Sequence, residues 1–480
     1  MSTEDWIDRW LSRRKSLTEE MAWDEIEGWA DEMDSISRWT QAAQTFKELK
    51  NVARAKQAYK AALRACGDGN RGMAYSNYAN YLLGLGEFSE ALPIFELAWE
   101  TSKLPSIGLG LSSALLESYR ESEALEFLTS ERESLGDLVG YWSNLTIAMT
   151  RVGVYQEAQQ AAERALMMER TPETIFQWSL ASLRLHGFTR ADALEAFESR
   201  PNRPVFEAGF GQELKDIASL EAQDRVVVVC EQGIGDILQF IPFAAELEAR
   251  DCSVIIAGSP RLETLITSAF PSFHYVRSPV EAMKLRPRFW VPLLSLPKVI
   301  AAEEDLAPRG AYLKPVGLPS LDSQTDGKVK IGLAWRGNPN YPNDYLRSTR
   351  LESFQALLNE EKIQAYSLLL NIESDVSALP ETKCELIGLD EDTDSSGTFV
   401  DTASLVAELD AVVTTDTSLA HLSGALGTKT YLLLNRGSDW RWGTPMRPMT
   451  WYSSLSIIWL DDDSGFQGGV ERSLDAILTR

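Results

Sequence analysis

Cysteine is scarce in this chain, and its few copies are widely spaced. The four cysteines form no C-x-x-C pair; they are Cys66, Cys230, Cys252 and Cys384. This spacing indicates neither a zinc knuckle nor a disulfide framework. Reduced thiols in a cytoplasmic protein are the simpler interpretation.

Long apolar runs and a basic amino-terminal segment are also missing. No stretch approaches the roughly 18 uninterrupted apolar residues of a membrane helix. The first residues, Met1–Trp6, lack the basic region and the following apolar run of a secretory signal. We therefore expect a cytoplasmic protein with no transmembrane segment.

Positive charge is in deficit. The chain has 46 basic and 70 acidic residues, which gives a net charge of -24. So acidic a surface repels nucleic acid and anionic membranes, and we expect neither as a partner. The charge itself favours solubility.

The remaining composition is that of an ordinary globular protein. Hydrophobic residues make up 44% and charged residues 24% of the chain. Its 480 residues predict roughly two to four folding units, each able to bury a core without disulfides.

A pattern of small and aromatic residues recurs in the first part of the chain. Ala55, Tyr59 and Ala62 are spaced four and three apart. The pattern returns at intervals of about 34 residues, the period of tetratricopeptide (TPR) repeats. Its later copies are Ala91, Phe95 and Ala98; Ala124 and Leu128; and Ala158, Ala162 and Ala165. Small residues let two helices approach closely, so the pattern favours stacked helix pairs over an irregular helical domain with accidental spacing.

Glycines mark the predicted turns between the helices of these units. Gly86 and Gly153 each lie five residues before the first alanine of a copy. We predict about four or five units, the last ending near Phe197, within a repeat domain over 1–205. The residues before Trp39 are expected to form a helical cap.

After Pro204 the pattern of apolar residues changes. Short apolar, often β-branched runs alternate with helical stretches, which predicts a doubly wound parallel sheet. The predicted strands are 225–230, 254–257, 274–276, 289–294, 329–335, 365–370, 411–415 and 430–434. A polar break at Pro315–Gly327 divides the region into two predicted α/β halves, 222–316 and 327–480.

Two glycines and an aspartate, Gly233, Gly235 and Asp236, follow the first predicted strand. The glycines permit a tight turn between strand and helix. Asp236 has two interpretations that the local pattern leaves open. It caps the helix, or it projects into the crevice at the carboxyl end of the sheet, where open α/β folds bind ligands. The spacing is not G-x-G-x-x-G, so a dinucleotide fingerprint is not supported.

Asp416 follows a later predicted strand and is expected to cap a helix that ends at Gly427. Free N–H groups at such a helix start form an anion site, and two neighbouring hydroxyls suit a diphosphate. These N–H groups belong to Thr417, Ser418 and Leu419. His421 lies one turn further and is a candidate ribose or phosphate contact, although a lone histidine is more often structural.

Two arginines lie in the polar loop after the strand that ends at Trp335. Arg336 and Arg347 are candidates to neutralise a leaving diphosphate. Surface ion pairs are the alternative role for both. The acidic motifs Asp392-Thr-Asp394 and Asp461-Asp-Asp463 match the Asp-x-Asp spelling of metal-dependent transferases, but neither directly follows a convincing strand, and we predict no metal site.

Three of these motifs occur in an order that resembles the family-9 glycosyltransferases, which include the lipopolysaccharide heptosyltransferases. The motifs are Gly233-Ile-Gly-Asp236, Gly332-Leu-Ala-Trp-Arg-Gly-Asn-Pro339 and Thr415-Asp-Thr-Ser-Leu-Ala-His421. Together with the repeats, they resemble bacterial proteins that fuse TPR repeats to such a module. Asp439-Trp-Arg-Trp442 is similar to a further stretch of that fused group.

The resemblance implies a TPR helical superhelix followed by a GT-B-like pair of Rossmann-like α/β domains. It implies a nucleotide-sugar donor in the cleft between them, with no cofactor or obligatory metal. Asp236 would be the general base, and Arg347 would stand for the family's basic residue near the phosphates. The expected nucleotide-sugar contacts are Gly233, Gly235, Arg336, Arg347, Asp416, Thr417, Ser418, Leu419 and His421.

Two functions remain in competition. One is an inverting, metal-independent glycosyltransferase whose TPR groove recruits a protein or glycan acceptor. The other is a non-catalytic TPR scaffold with a degenerate glycosyltransferase-like domain. The first half, 222–316, is shorter than in true heptosyltransferases, so an acceptor site known from that group cannot be assumed.

Overall fold

The computed structural model describes residues 35–206, 211–300, 309–316, 327–341, 343–389, 392–395 and 397–479. These residues form two compact units. The first ends at Val152 and also includes Met167–Glu169. The second comprises Gly153–Leu166 and the chain from Arg170 onward.

The first unit is helical, because small and apolar residues recur in it at the spacing of a helix face. Its helices are α1 (Ser35–Glu48), α2 (Val52–Ala65), α3 (Arg71–Gly84), α4 (Phe88–Thr101), α5 (Pro105–Glu117), α6 (Glu121–Ser130), α7 (Arg132–Leu135) and α8 (Val139–Val152).

The repeated alanines pack inside this unit. Ala55, Ala91 and Ala124 have no exposed surface, as expected where small side chains let helices approach closely. Gly86, between α3 and α4, has a φ of 78°, a left-handed conformation that favours glycine. Paired helices with buried small residues at about a 34-residue period are TPR-like repeats, so the prediction of helical repeats is confirmed.

The second unit begins with three more helices, α9 (Tyr155–Met168), α10 (Pro172–His186) and α11 (Ala191–Phe197). A capping box starts α10: the Thr171 hydroxyl accepts a hydrogen bond from the Thr174 N–H, and the Thr174 hydroxyl accepts one from the Thr171 N–H. Pro172 occupies the first helical position, where its missing N–H costs nothing.

Five strands then form a parallel sheet: β1 (Gln212–Glu213), β2 (Arg225–Val229), β3 (Ser253–Ala257), β4 (His274–Val276) and β5 (Phe289–Pro292). Their order is β1-β5-β2-β3-β4. The central strand β2 is a run of valines because both of its faces are covered.

A second sheet follows, with a small antiparallel ribbon of β11 and β12 beside it. The strands are β6 (Val329–Ala334), β7 (Ile363–Ser367), β8 (Leu386–Ile387), β9 (Ala411–Thr415), β10 (Thr430–Leu434), β11 (Gly443–Thr444), β12 (Arg447–Pro448) and β13 (Leu455–Trp459). The sheet is parallel, in the order β13-β10-β9-β6-β7-β8.

The strand orders locate the crevices. Numbered along the chain from β6, the second sheet has the doubly wound order 3-2-1-4-5-6, and β4-β3-β2-β5 of the first sheet repeats the first four positions. The winding reverses between β2 and β5 in one sheet and between β6 and β9 in the other. Ligands of open α/β sheets bind beyond the carboxyl ends of the strands at such points.

Helices connect the strands and cover the sheets. They are α12 (Ile234–Phe240), α13 (Ala245–Glu248), α14 (Glu263–Ala269), α15 (Pro279–Met283), α16 (Leu296–Val299), α17 (Gln355–Leu358), α18 (Glu373–Ser377), α19 (Val400–Ala407), α20 (Ser418–Leu426) and α21 (Gly465–Leu478).

One apolar core joins the parts of the second unit. Val228 of the first sheet and Val412 of the second belong to it, as do residues of α10 and α11. The Phe188 ring lies 5.7 Å from Trp451, and the Phe197 ring lies 5.4 Å from Trp440. The last helices of the repeat pattern therefore share a core with the α/β region.

The predicted parallel α/β region is confirmed, and each of the eight predicted runs overlaps a strand. Sequence reasoning missed β1, β8, β11, β12 and β13. The predicted cap before Trp39 and most of the break at 315–327 lie outside the described residues. The proposed boundaries at 205, 222, 316 and 327 stay predictions.

Candidate functional site

Polar side chains from both sheets meet beyond the carboxyl ends of their strands. Asp236 lies on α12, which follows β2, and Asp416 directly follows β9. The loop after β10, residues 435–442, contributes Arg441. These segments surround the two points where the winding reverses, which is where the strand orders predict a ligand site.

Asp236 both caps its helix and forms an ion pair. Its Oδ2 accepts a hydrogen bond of 2.9 Å from the Gly233 N–H, and Gly233 is the N-cap of α12. Its Oδ1 lies 2.5 Å from Nη2 of Arg441. Loss of solvent contact raises the pKa of Asp236 above its ordinary value, and the Arg441 guanidinium opposes that rise. Asp236 can thus cap its helix and also face the crevice, the two interpretations offered by the sequence.

Gly235 lies where α12 approaches the start of α20 closely. A Cβ at this position would lie 2.9 Å from Cδ2 of His421 and 3.4 Å from Cα of Ser418. Glycine is therefore required by the proximity of α12 to the start of α20, and the structure brings Gly235, Ser418 and His421 together.

Asp416 is not the cap that the sequence predicts. Its Oδ1 instead accepts a hydrogen bond of 3.0 Å from Nε1 of Trp442. Burial, followed by the nearby Asp439 carboxylate, raises the pKa of Asp416 to about 6. The Asp416 carboxylate therefore bonds the Trp442 indole and does not cap α20.

Thr417 takes the cap position of α20. Its hydroxyl accepts a 3.3 Å hydrogen bond from the Leu419 N–H, so one of the three N–H groups predicted to be free is already paired. Ser418 is the first residue of the helix. Gly427 ends it in a left-handed conformation, with a φ of 80°, as the sequence predicts.

His421 is buried and stacked. Its ring lies 5.2 Å from that of Trp442 at an interplanar angle of 17°, and its Nδ1 is 3.0 Å from the Tyr452 hydroxyl. Burial, with a smaller effect of Arg441, lowers the pKa of His421 to about 3, so the imidazole is neutral near pH 7. These contacts pack the ring beside the crevice, and its role as a nucleotide-sugar contact stays a prediction.

The two candidate arginines separate. Arg347 reaches the crevice: its Nη1 donates a 3.1 Å hydrogen bond to the backbone oxygen of Asp416, and its Nε donates one of 3.0 Å to Asp344. Arg336 instead forms an ion pair of 3.1 Å with Asp375 on α18. Arg347 therefore lies at the predicted site. Arg336 forms an ion pair, which was the alternative role predicted for both arginines.

Arg441 is the central residue that sequence reasoning missed. Its Nη1 lies 2.9 Å from Oδ1 of Asp439, and its Nη2 donates a 3.1 Å hydrogen bond to Gln232 in addition to the Asp236 pair. Burial alone would raise the pKa of Asp439, but Arg441 keeps it below its ordinary value. The motif Asp439-Trp-Arg-Trp442 was visible in the sequence, yet no local pattern gives its contacts with Asp236 and Asp416.

Several buried polar atoms at this edge have no hydrogen-bond partner within the described part of the chain. They follow three adjacent strands, β6, β9 and β10, and comprise Nε1 of Trp335, Oγ1 of Thr415, Oδ1 of Asn435, Oγ of Ser438 and Nε of Arg441. Buried polar groups in native proteins are nearly always paired. Their concentration at one edge marks a place where a polar ligand would supply partners.

The reversal point of the first sheet is filled by the chain itself. Glu231 accepts hydrogen bonds from the N–H groups of Leu293 and Leu294 after β5, and lies 2.7 Å from Nη2 of Arg200. The same Arg200 nitrogen donates to the hydroxyl of Ser295. Nε of Arg200 and the side-chain amide of Gln239 on α12 are also buried without a partner among the described residues, so unpartnered atoms occur at both sheets.

Metal ligands do not cluster in the described residues, where no group of three or more suitable side chains occurs. Asp394, from one Asp-x-Asp motif, instead accepts hydrogen bonds from the Thr402 hydroxyl and the Asp401 N–H. Within the same described ranges, no helix is long and apolar enough to cross a membrane.

The fold defines a class: a protein with TPR-like helical repeats followed by an α/β region of parallel sheets. No protein-family model matches the chain. Protein FlbA of Caulobacter vibrioides is 22% identical over 416 residues, which cover 79% of this chain and 68% of that protein.

Similar solved structures overlap about a third of the chain. YrrB, described as a TPR protein with an unusual peptide-binding site, has a TM-score of 0.30 and 16% identity, covering 37% of this chain and 92% of that one. A thermophilic TPR protein of Thermus thermophilus, TTC0263, has a TM-score of 0.30 and 17% identity, covering 35% and 92%.

Proposed function

We propose that this protein is a glycosyltransferase that moves a sugar from a nucleotide-sugar donor to an acceptor hydroxyl, with inversion and without a metal. The two doubly wound sheets would be the Rossmann-like halves of a GT-B arrangement, with the nucleotide-sugar at the carboxyl edge of the second sheet. The TPR-like repeats would recruit the protein or glycan acceptor, since such arrays present concave binding surfaces.

One observation carries the proposal: the loops at the two reversal points converge on a single polar cluster. Asp236 from the first sheet pairs with Arg441, and Asp416 from the second accepts a hydrogen bond from Trp442, the residue next to Arg441. The unpartnered buried atoms of the second sheet border the same cluster.

The geometry suits an inverting displacement. Asp236 would accept the proton of the acceptor hydroxyl as its oxygen forms a bond to the anomeric carbon. The bond from that carbon to the diphosphate oxygen breaks, and the diphosphate leaves with the electron pair. Burial raises the pKa of Asp236, which makes its carboxylate a stronger proton acceptor. The start of α20 and the Arg347 guanidinium would stabilise the departing charge.

The experiment is isothermal titration calorimetry of UDP-, GDP- and ADP-sugars with the full chain. We expect one class to bind, and Ser418→Glu to abolish that binding by placing a carboxylate at the start of α20. Ser377→Glu, on the exposed surface of α18, is the matched control and should leave binding unchanged. Binding of none of these donors by the wild-type protein would overturn the proposal.

One observation favours the alternative of a non-catalytic scaffold. Both oxygens of Asp236 have partners, Gly233 and Arg441, so neither is wholly free for a substrate. Under that alternative Asp236→Asn retains full function, since asparagine caps nearly as well. Under the proposal it lowers the rate of sugar transfer by about 10²–10⁴-fold with donor binding retained.

A further inference from the structure

Arg441 is a buried cation shared between the loops of both sheets. It lies in the 3-10 turn Trp440–Trp442 after β10, and only 9% of its surface is exposed. Its carbonyl accepts a 2.7 Å hydrogen bond from Nε1 of Trp451, and its N–H donates one of 3.0 Å to Asp439. The backbone is therefore fixed, and the guanidinium projects between Asp236 and Asp439.

The guanidinium is incompletely satisfied. Its two terminal nitrogens bind Asp236, Asp439 and Gln232, but the buried Nε has no partner among the described residues. A buried charged donor without an acceptor is costly. A ligand that supplies an acceptor oxygen at this point would remove that cost.

The surroundings indicate which kind of ligand fits. Unpartnered hydroxyls of Thr415 and Ser438 lie in the same region, at the end of β9 and in the loop after β10. Arg347 contacts the backbone at Asp416, directly before the start of α20, a nine-residue helix. Hydroxyl donors, a helix start and two guanidinium groups together match the oxygens of a phosphate or diphosphate.

We propose that Arg441 is a ligand of the donor's diphosphate, and that on donor binding it exchanges part of its contact with Asp236 for contact with a phosphate oxygen. The proposal rests on the glycosyltransferase function. Before the donor binds, Asp236 is occupied by the guanidinium. Once the phosphate takes over, an oxygen of Asp236 becomes free to accept the acceptor's proton. Donor binding would thus precede productive acceptor binding.

In this exchange the Asp236 carboxylate competes with the phosphate for the Arg441 guanidinium, and the competition can be measured. The test is calorimetric titration of UDP, GDP and ADP into the full chain as wild type, Arg441→Met, Asp236→Asn and the double variant. We expect Arg441→Met to weaken nucleotide binding roughly 10- to 100-fold, since hydrogen bonds to charged groups are strong. Asp236→Asn should tighten binding by about three- to ten-fold, because the competing carboxylate is removed.

The gain from Asp236→Asn should disappear in the Arg441→Met background, and this non-additivity is the signature of the exchange. Arg436→Met, in the same loop but paired with the exposed Asp462, is the control and should bind like wild type. If Arg441→Met is unstable by circular dichroism, Arg441→Lys replaces it in the single and double variants, since lysine keeps the positive charge between Asp236 and Asp439 and removes the guanidinium donors.

The outcomes are distinguishable. Nucleotide binding by the wild type with equal affinity in Arg441→Met would overturn the role of Arg441 and leave the glycosyltransferase proposal standing. Unchanged affinity in Asp236→Asn, with a loss in Arg441→Met, would overturn the exchange. Absence of binding by the wild type to all three nucleotides would overturn both.

Discussion

At the residue scale, Asp416 is a buried carboxylate whose ionisation opposes folding. Its pKa is about 6 in the folded chain because of burial and the nearby Asp439. Below the pKa that Asp416 has in the unfolded chain, the carboxyl is protonated in both states and does not change the free energy of unfolding. As the pH rises from the pKa of the unfolded chain towards 6, only the unfolded state ionises, so stability falls across this interval; above about 6 both states are ionised and the loss is complete.

Asp416→Asn should therefore stabilise the protein at pH 8 by roughly 3 kcal/mol, and hardly at all near pH 4. The asparagine oxygen retains an acceptor for the Trp442 indole. Urea unfolding of both proteins at several pH values measures the difference, with the exposed Asp463→Asn as control. A difference that is independent of pH would contradict the assignment.

Gly235 is a second position where one residue decides the geometry. Gly235→Ala introduces a Cβ 2.9 Å from the buried His421 ring, so α12 and α20 must separate. We expect a loss of about 1–3 kcal/mol, measured by thermal unfolding. Gly310→Ala, at a position with no atom within 4 Å, is the matched control. Equal melting temperatures for the two variants would argue against the close approach.

At the scale of elements, α10 stabilises the loop that carries Arg441. The buried Arg184 guanidinium donates to the carbonyl oxygens of Ser438 and Gly443, which flank the 3-10 turn. Arg184→Met removes both hydrogen bonds. We expect a loss of about 3 kcal/mol and faster hydrogen exchange in residues 436–449.

The control for Arg184→Met lies on the neighbouring turn. Arg190 pairs with Asp192 at a partly exposed position, where an ion pair contributes little. Arg190→Met should leave exchange in 436–449 unchanged. Protection of that loop in Arg184→Met equal to wild type would show that α10 does not support it.

Local sequence patterns predicted most helices and strands, but they could not predict contacts between elements that are distant in the chain. The alanine spacing predicted the repeats, and the valine run at 225–229 predicted a buried strand. β13 was missed because Leu455–Trp459 gives no clear alternation and follows a polar segment. The Asp236–Arg441 pair depends on how two sheets pack, and Thr417 displaced Asp416 as cap because Trp442 offered Asp416 a better partner.

At the scale of the whole molecule, packing affects how a fragment made only of the repeats should behave. The sequence suggests 1–205, but Trp178, Phe188 and Phe197 belong to the core of the second unit. We expect a fragment ending at Val152 to be soluble and helical. A fragment ending at 205 should expose these side chains and bind the dye ANS strongly, which fluorescence and circular dichroism will measure.

A soluble 1–205 fragment without ANS binding would restore the boundary suggested by the sequence. A strand-dominated spectrum from either fragment would contradict the helical assignment itself.

The contact between Arg184 and Ser438 also has a consequence for synthesis. The two residues are 254 positions apart. At about 5–20 residues per second, roughly 13–50 s pass between the appearance of one and of the other. During most of that interval Arg184 lacks its partners in the loop after β10, and Phe188 and Phe197 lack Trp451 and Trp440. Nascent chains of this length should therefore associate with holding chaperones, and release should coincide with translation of the loop after β10.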